Sequence, residues 1–183
     1  MRTAPAKTPA LALAAVLAAS LCGCVAGPVG NPHPPQPTKP VELSRYLGRY
    51  YEFARYENGF ERGCQGVTAE YGLLPSGLVS VLNTCHKGAL DAPPTAVHGR
   101  AKPTGDVMHA KLKVSFFGPF FVGDYWVLDH ADDYSWSIVG EGSGRFLWVL
   151  TRDPAPSPAL SAGLLERVAS LGYDVRLLSF TRQ

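Results

Sequence analysis

The sequence predicts an all-β domain: an eight-stranded antiparallel up-and-down barrel with one C-terminal α-helix and a short final strand. Three observations predict it. Short apolar-aromatic runs recur between residues 50 and 152, turn-forming residues separate them, and beyond residue 156 the apolar period becomes that of a helix.

The runs fall at 50–56, 67–74, 78–85, 95–102, 110–117, 124–129, 135–140 and 146–152. Between them stand Pro75-Ser76-Gly77, Pro93-Pro94, Pro103-Thr104-Gly105, Gly118-Pro119, Asp132-Asp133 and Gly140-Glu141-Gly142-Ser143-Gly144, residues that bend a chain rather than extend it. Consecutive hairpins of this kind form a sandwich or a closed barrel. Closure is favoured, because no long Greek-key return is present and closing removes exposed edges. In the helix Ser157 is the N-cap and Pro158 the first residue; Leu160, Leu164, Val168 and Leu171 make one stripe, and Gly172 stops it. Residues 175–180 then read as the last strand.

The N-terminus reads as an address and an anchor. Arg2 and Lys7 precede an apolar run at 10–21, which is about half of what spans a bilayer as a helix. Residues 1–23 therefore read as a secretory signal peptide. Its end, Leu21-Cys22-Gly23-Cys24, resembles a bacterial lipobox, which makes Cys24 the lipid-bearing first mature residue; a plain signal peptide cut near Gly27 is the alternative. Two or more acyl chains make such an anchor effectively permanent. Val25, where Asp would signal retention in the inner membrane, points to the outer membrane. Residues 24–40 read as a Pro-rich tether, able at roughly 3.1 Å per residue to hold the domain, 41–183, up to about 40 Å from the bilayer.

Composition narrows the function. Lys and Arg total 17 against 15 Asp and Glu; without Arg2 and Lys7 the balance is 15 against 15, which excludes a basic nucleic-acid surface. Cys64 and Cys85 flank the hairpin turn at 75–77, and in an exported chain they read as a disulfide worth about 3 kcal/mol. A free Cys64 thiol serving an enzyme on the same barrel is the other reading. His33, His86, His98, His109 and His130 show no metal-ligand spacing, and Gly142-Ser143-Gly144 lacks the spacing of a nucleophile elbow. No metal, cofactor or catalytic residue is expected. Asp129, Asp132 and Asp133 read as a solvated turn.

Four stretches resemble one family. They are Tyr46-Leu47-Gly48-Arg49-Tyr50-Tyr51-Glu52-Phe53-Ala54-Arg55; Phe60-Glu61-Arg62-Gly63-Cys64 with Val67-Thr68-Ala69-Glu70-Tyr71; Leu112-Lys113-Val114-Ser115-Phe116-Phe117-Gly118-Pro119-Phe120; and Leu147-Trp148-Val149-Leu150-Thr151-Arg152-Asp153-Pro154 with Gly172-Tyr173-Asp174. In this order they resemble the lipocalins, and within them the bacterial outer-membrane lipocalin lipoproteins related to apolipoprotein D. The resemblance spans 41–183. It implies that Arg152 closes the barrel base over an aromatic residue. Where the family has Trp this chain has Tyr50, so a looser closed end is expected.

Strand parity assigns the inward faces. Leu112, Val114 and Phe116 form one inward set, Phe146, Trp148, Leu150 and Arg152 another, and Val67, Ala69, Tyr71 and Leu73 a third. The resemblance implies that Tyr71, Phe116, Tyr125 and Trp148 contact ligand. The expected function is binding, storage or transport of one fatty acid or lysophospholipid, with no covalent step, by a monomer or homodimer in the bacterial envelope. The rivals are a lipid- or isoprenoid-modifying enzyme and an interaction module whose barrel is filled by its own side chains.

Overall fold

The computed structural model describes residues 28–183; the signal peptide and Cys24 lie outside the described residues. Eight strands run in succession: β1 Gly48–Tyr56, β2 Cys64–Leu73, β3 Val79–Lys87, β4 Pro94–Pro103, β5 Lys111–Ser115, β6 Gly123–His130, β7 Trp136–Gly140 and β8 Leu147–Thr151. Each pairs antiparallel with the next, and β1 pairs with both β8 and β2, so the sheet closes into a barrel. A short helix α1, Leu43–Tyr46, precedes it, and α2, Pro158–Ser170, follows.

Closure is bought on β1 by dividing its edge. Residues 48–51 pair with β2, whereas Ala54–Tyr56 pair with β9, Leu178–Phe180, after a bulge between Glu52 and Ala54. The final strand is shorter than expected. Asp174 accepts from the Arg176 amide at 2.9 Å and starts a 3-10 turn over Val175–Leu177, leaving three residues for pairing. Cys64 and Cys85 are joined across β2 and β3 with Cα atoms 5.4 Å apart, so Cys64 has no free thiol.

Two apolar cores result from the alternation of side chains. Inside the barrel, Tyr46, Tyr50, Val79, Val81, Leu112, Val127 and Val139 pack together. Outside it, Ala54, Ile138, Leu147 and Val149 meet Leu164 and Val168 of α2. The expected stripe of α2 is thus the buried one, and the Ser157 hydroxyl caps it through the Leu160 amide at 3.2 Å. Asp129 corrects the solvated-turn reading: it is buried and binds Arg167 of α2.

The Pro-rich segment is also corrected. Residues 30–40 lie along the barrel wall, because the proline-rich chain still offers amides and carbonyls at fixed spacing. Gly30 and Asn31 amides donate to the Gly144 carbonyl at 2.9 and 3.2 Å, and the Asp174 amide donates to the Gly30 carbonyl. Asn31 donates to the Leu171 carbonyl at 3.0 Å, Lys39 to that of His130, and His130 to that of Pro40. This segment is a strap, and the 40 Å stand-off of a free tether does not apply to it. Gly144 has φ +66, and a Cβ there would sit 1.7 Å from the Asn31 carbonyl oxygen, so glycine is needed at the crossing. Asn31→Ala is expected to cost about 1–2 kcal/mol in urea unfolding, since it removes the buried amide that donates to the Leu171 carbonyl at the helix end.

Candidate functional site

The strand directions give the barrel two unlike ends. The loops β2–β3, β4–β5 and β6–β7 lie at one end with α1, and the loops β1–β2, β3–β4, β5–β6 and β7–β8 at the other. The first end is closed. The Arg152 guanidinium lies 3.6 Å from the centre of the Tyr50 ring and donates to the carbonyls of Arg49 and Leu47 at 2.7 Å and of Tyr46 at 3.1 Å. Tyr50 is fully buried. Tyr46 of α1 packs its ring 5.4 Å from that of Tyr50, so the smaller residue at this end is covered on one side by the guanidinium and has a second aromatic ring beside it.

Above this floor lies a hollow of about 880 Å³ that opens at the other end. Its bottom is marked by hydroxyls. Tyr125 bonds Tyr46 at 2.7 Å and Tyr71 at 2.9 Å, and Tyr46 also reaches Ser137 at 3.1 Å. Burial pushes the Tyr46, Tyr71 and Tyr125 hydroxyls well above the ordinary tyrosine range. The floor is therefore polar yet uncharged at neutral pH. The walls are aliphatic, with Val79, Val81, Leu112 and Val114 among them, and partway up stands Asn83, whose buried carboxamide oxygen has no protein partner.

The mouth is aromatic. Phe60 stacks on Phe146, and Phe146 on Trp148, each with centroids 5.8 Å apart. The Trp148 indole N–H donates to Glu61 Oε2 at 2.9 Å, and Asn58 donates to the same oxygen at 2.7 Å, fixing the rotamer of the ring. Lys87 supplies the cation among the described residues that line the hollow. An enclosed, largely apolar space with a polar floor and one open end has the geometry of a small-molecule site.

A family model described as a lipocalin-like domain matches residues 41–183. The chain is a lipocalin. Among its relatives are outer membrane lipoprotein Blc of Vibrio cholerae, 35% identical over 86% of this chain and 91% of that one, and outer membrane lipoprotein Blc of Escherichia coli, 35% identical over 84% and 87%. Mouse apolipoprotein D is 31% identical over 80% of this lipocalin and 82% of its own length. The solved structure of insecticyanin from the tobacco hornworm Manduca sexta superposes with TM-score 0.62 over 86% of each chain at 18% identity, a likeness of fold.

All seven residues expected at the pocket, Tyr71, Leu112, Val114, Phe116, Tyr125, Phe146 and Trp148, line the hollow of this lipocalin. Tyr50 and Arg152 form the closed end beneath it. Leu73 departs from its inward set. It ends β2 beyond the closed end and is mostly exposed, so parity holds for the strand but the interior has already ended. Sequence reasoning missed Tyr46, Glu61, Asn83 and Lys87. Asn83 was within reach, since it shares parity with Val79 and Val81. Glu61 and Tyr46 belong to a loop and a single helical turn, where no period operates.

Proposed function

We propose that this lipocalin binds and carries one hydrophobic ligand, a fatty acid or a lysophospholipid, while anchored through Cys24 in the outer membrane. The observation that carries this reading is the 880 Å³ hollow with apolar walls and an aromatic mouth. A space of that size falls within the range of small-molecule sites, roughly 300–1,000 Å³, so a filled-barrel interaction module is disfavoured. A 16-carbon chain offers a gross of about 12 kcal/mol at about 0.8 kcal/mol per methylene. Immobilising it removes several of these, leaving an affinity of roughly micromolar.

Orientation follows from the charges. The neutral tyrosine floor suits the tail end, and the head group belongs at the mouth, where Lys87 stands with the carboxylates of Glu61, Asp124 and Glu141. The names of the Blc relatives place those proteins in the outer membrane as lipoproteins, and the lipobox at 21–24 supports the same placement here. The disulfide at Cys64 supports a carrier over a thiol-dependent enzyme on the barrel.

Titration with the fluorescent fatty acid cis-parinaric acid tests the reading, with energy transfer from tryptophan as the signal. Saturation with one site per chain and a dissociation constant of roughly micromolar is expected. Trp148→Ala is expected to weaken binding by about tenfold, the loss of one large buried contact. Absence of saturable binding, or an unchanged affinity in Trp148→Ala, overturns it.

A further inference from the structure

We propose that the rim of the barrel mouth, formed by Phe60, Phe117, Phe120 and Val122, docks on the lipid layer that holds the protein's own anchor. This inference rests on the anchored-carrier reading and adds to it a surface and an orientation.

The rim is strongly apolar where water should meet it. Phe60, Phe117, Phe120 and Val122 are 76%, 84%, 71% and 81% exposed, and all four border the opening of the hollow. Phe60 comes from the β1–β2 loop and the other three from the β5–β6 loop, so they stand on both sides of the opening. Large exposed apolar groups gathered round one opening mark a surface that is covered in use.

The course of the chain says what covers it. The strap reaches the barrel at Gly30, which is bound to Gly144 in the β7–β8 turn. Phe146, two residues on, stacks on Phe60, so the strap begins at the rim end. From Cys24 to Gly30 the chain can stretch about 20 Å at most. A ten-residue strand such as β2 is about 33 Å long, so an anchored lipid at Cys24 brings the mouth, not the closed end, to the layer.

Cations flank the same loop. Arg100 donates to the Gly118 carbonyl at 3.0 Å, and the Arg100 and Lys102 head groups lie 5.9 and 6.0 Å from the Phe121 ring centre. Aromatic groups with cations beside them match the boundary between acyl chains and headgroups, where rings enter and cations stay at phosphate level. A ligand tail then passes between the layer and the hollow without crossing water, which is the slow step for a molecule of this hydrophobicity.

The test uses the lipidated protein in vesicles of phosphatidylethanolamine and phosphatidylglycerol, doped with phosphatidylcholine brominated in the upper acyl chain. Tryptophan emission of Phe120→Trp is compared with that of Val107→Trp, an exposed position in the closed-end β4–β5 loop, each after subtraction of the parent protein. Loss of about half the added emission at 120 and less than a tenth at 107 is expected for a ring seated at the interface. Equal quenching at both positions, or none at 120, overturns the docking. Unquenched Phe120→Trp with a doubled mass in light scattering assigns the rim to a second copy and overturns it as well. Uptake of cis-parinaric acid is measured on the same samples: uptake with an unquenched rim defeats the docking alone, whereas a quenched rim without uptake defeats the carrier reading and leaves the docking.

Discussion

Arg152→Ala is expected to lower the unfolding free energy by about 3 kcal/mol, because several half-buried carbonyls lose their donor at once. The guanidinium donates to Arg49, Leu47 and Tyr46, and through Nε to the Tyr134 carbonyl at 3.3 Å, while its plane covers Tyr50. These carbonyls belong to α1 and the residue after it, to the start of β1 and to the β6–β7 turn, so the side chain ties the helical turn to the barrel. Only a planar fork reaches them together, and Arg152→Lys is expected to recover less than half of the loss. Urea unfolding of the two variants decides this. A cost below about 1 kcal/mol in Arg152→Ala would mean that water replaces the guanidinium and that the closed end is held by its aromatic rings alone.

A functional effect should accompany the structural one. Tyr46 stands in α1 and carries the hydroxyl that meets Tyr125 and Ser137 at the floor of the hollow. Loosening α1 lowers the floor, and the hydroxyl network loses a member. The base and the binding space are thus one mechanical unit, joined where Arg152 holds the Tyr46 backbone, although Arg152 does not itself line the hollow.

The parts that were legible in the sequence are those governed by a period. Alternation in β5 and β8 placed Leu112, Val114, Phe116, Phe146 and Trp148 correctly, and a spacing of three to four placed Leu164 and Val168 under α2. Turn chemistry separated the strands to within a few residues. Where no period operates, reading failed. Composition alone marks 27–40 as unable to form helix or sheet, but it does not say whether the chain stands free or is bound to a wall through backbone groups. The volume of Tyr46 at the closed end was invisible for the same reason: a four-residue helix has no stripe. Glu61 is fixed by Trp148 and Asn58, partners 87 and 3 positions away, and the distant partner decides its role.

The second large effect is expected from Arg55→Ala, at about 3–5 kcal/mol, the cost of stranding a buried charge. Glu52 and Arg55 are both buried, with Arg55 Nη1 2.7 Å from Glu52 Oε1 and 2.9 Å from Thr181 Oγ1. Burial pushes the Glu52 carboxyl up to about 7, the Glu61 carboxylate adds to the rise, and Arg55 opposes it. Removing Arg55 removes the opposition, so the folded carboxyl holds its proton more tightly than the unfolded one. The loss of the variant relative to the parent is then smallest below about pH 7, where the folded carboxyl keeps its proton with or without Arg55, and grows as pH rises above 7, where the parent ionises it beside Arg55 and the variant cannot. Urea unfolding of Arg55→Ala at pH 4.5 and pH 8 measures it, and a loss that is equal at both values would show that Glu52 is not the stranded group. The double variant Glu52→Gln, Arg55→Met is expected to regain most of the stability, because neither side chain then carries charge into the interior. Its ligand binding should not recover equally. Arg55 Nη2 also donates to the Glu61 carbonyl at 2.9 Å, and Glu61 sets the Trp148 ring at the mouth, so the pair links the sheet interior to the entrance and a neutral replacement keeps the fold while releasing the ring.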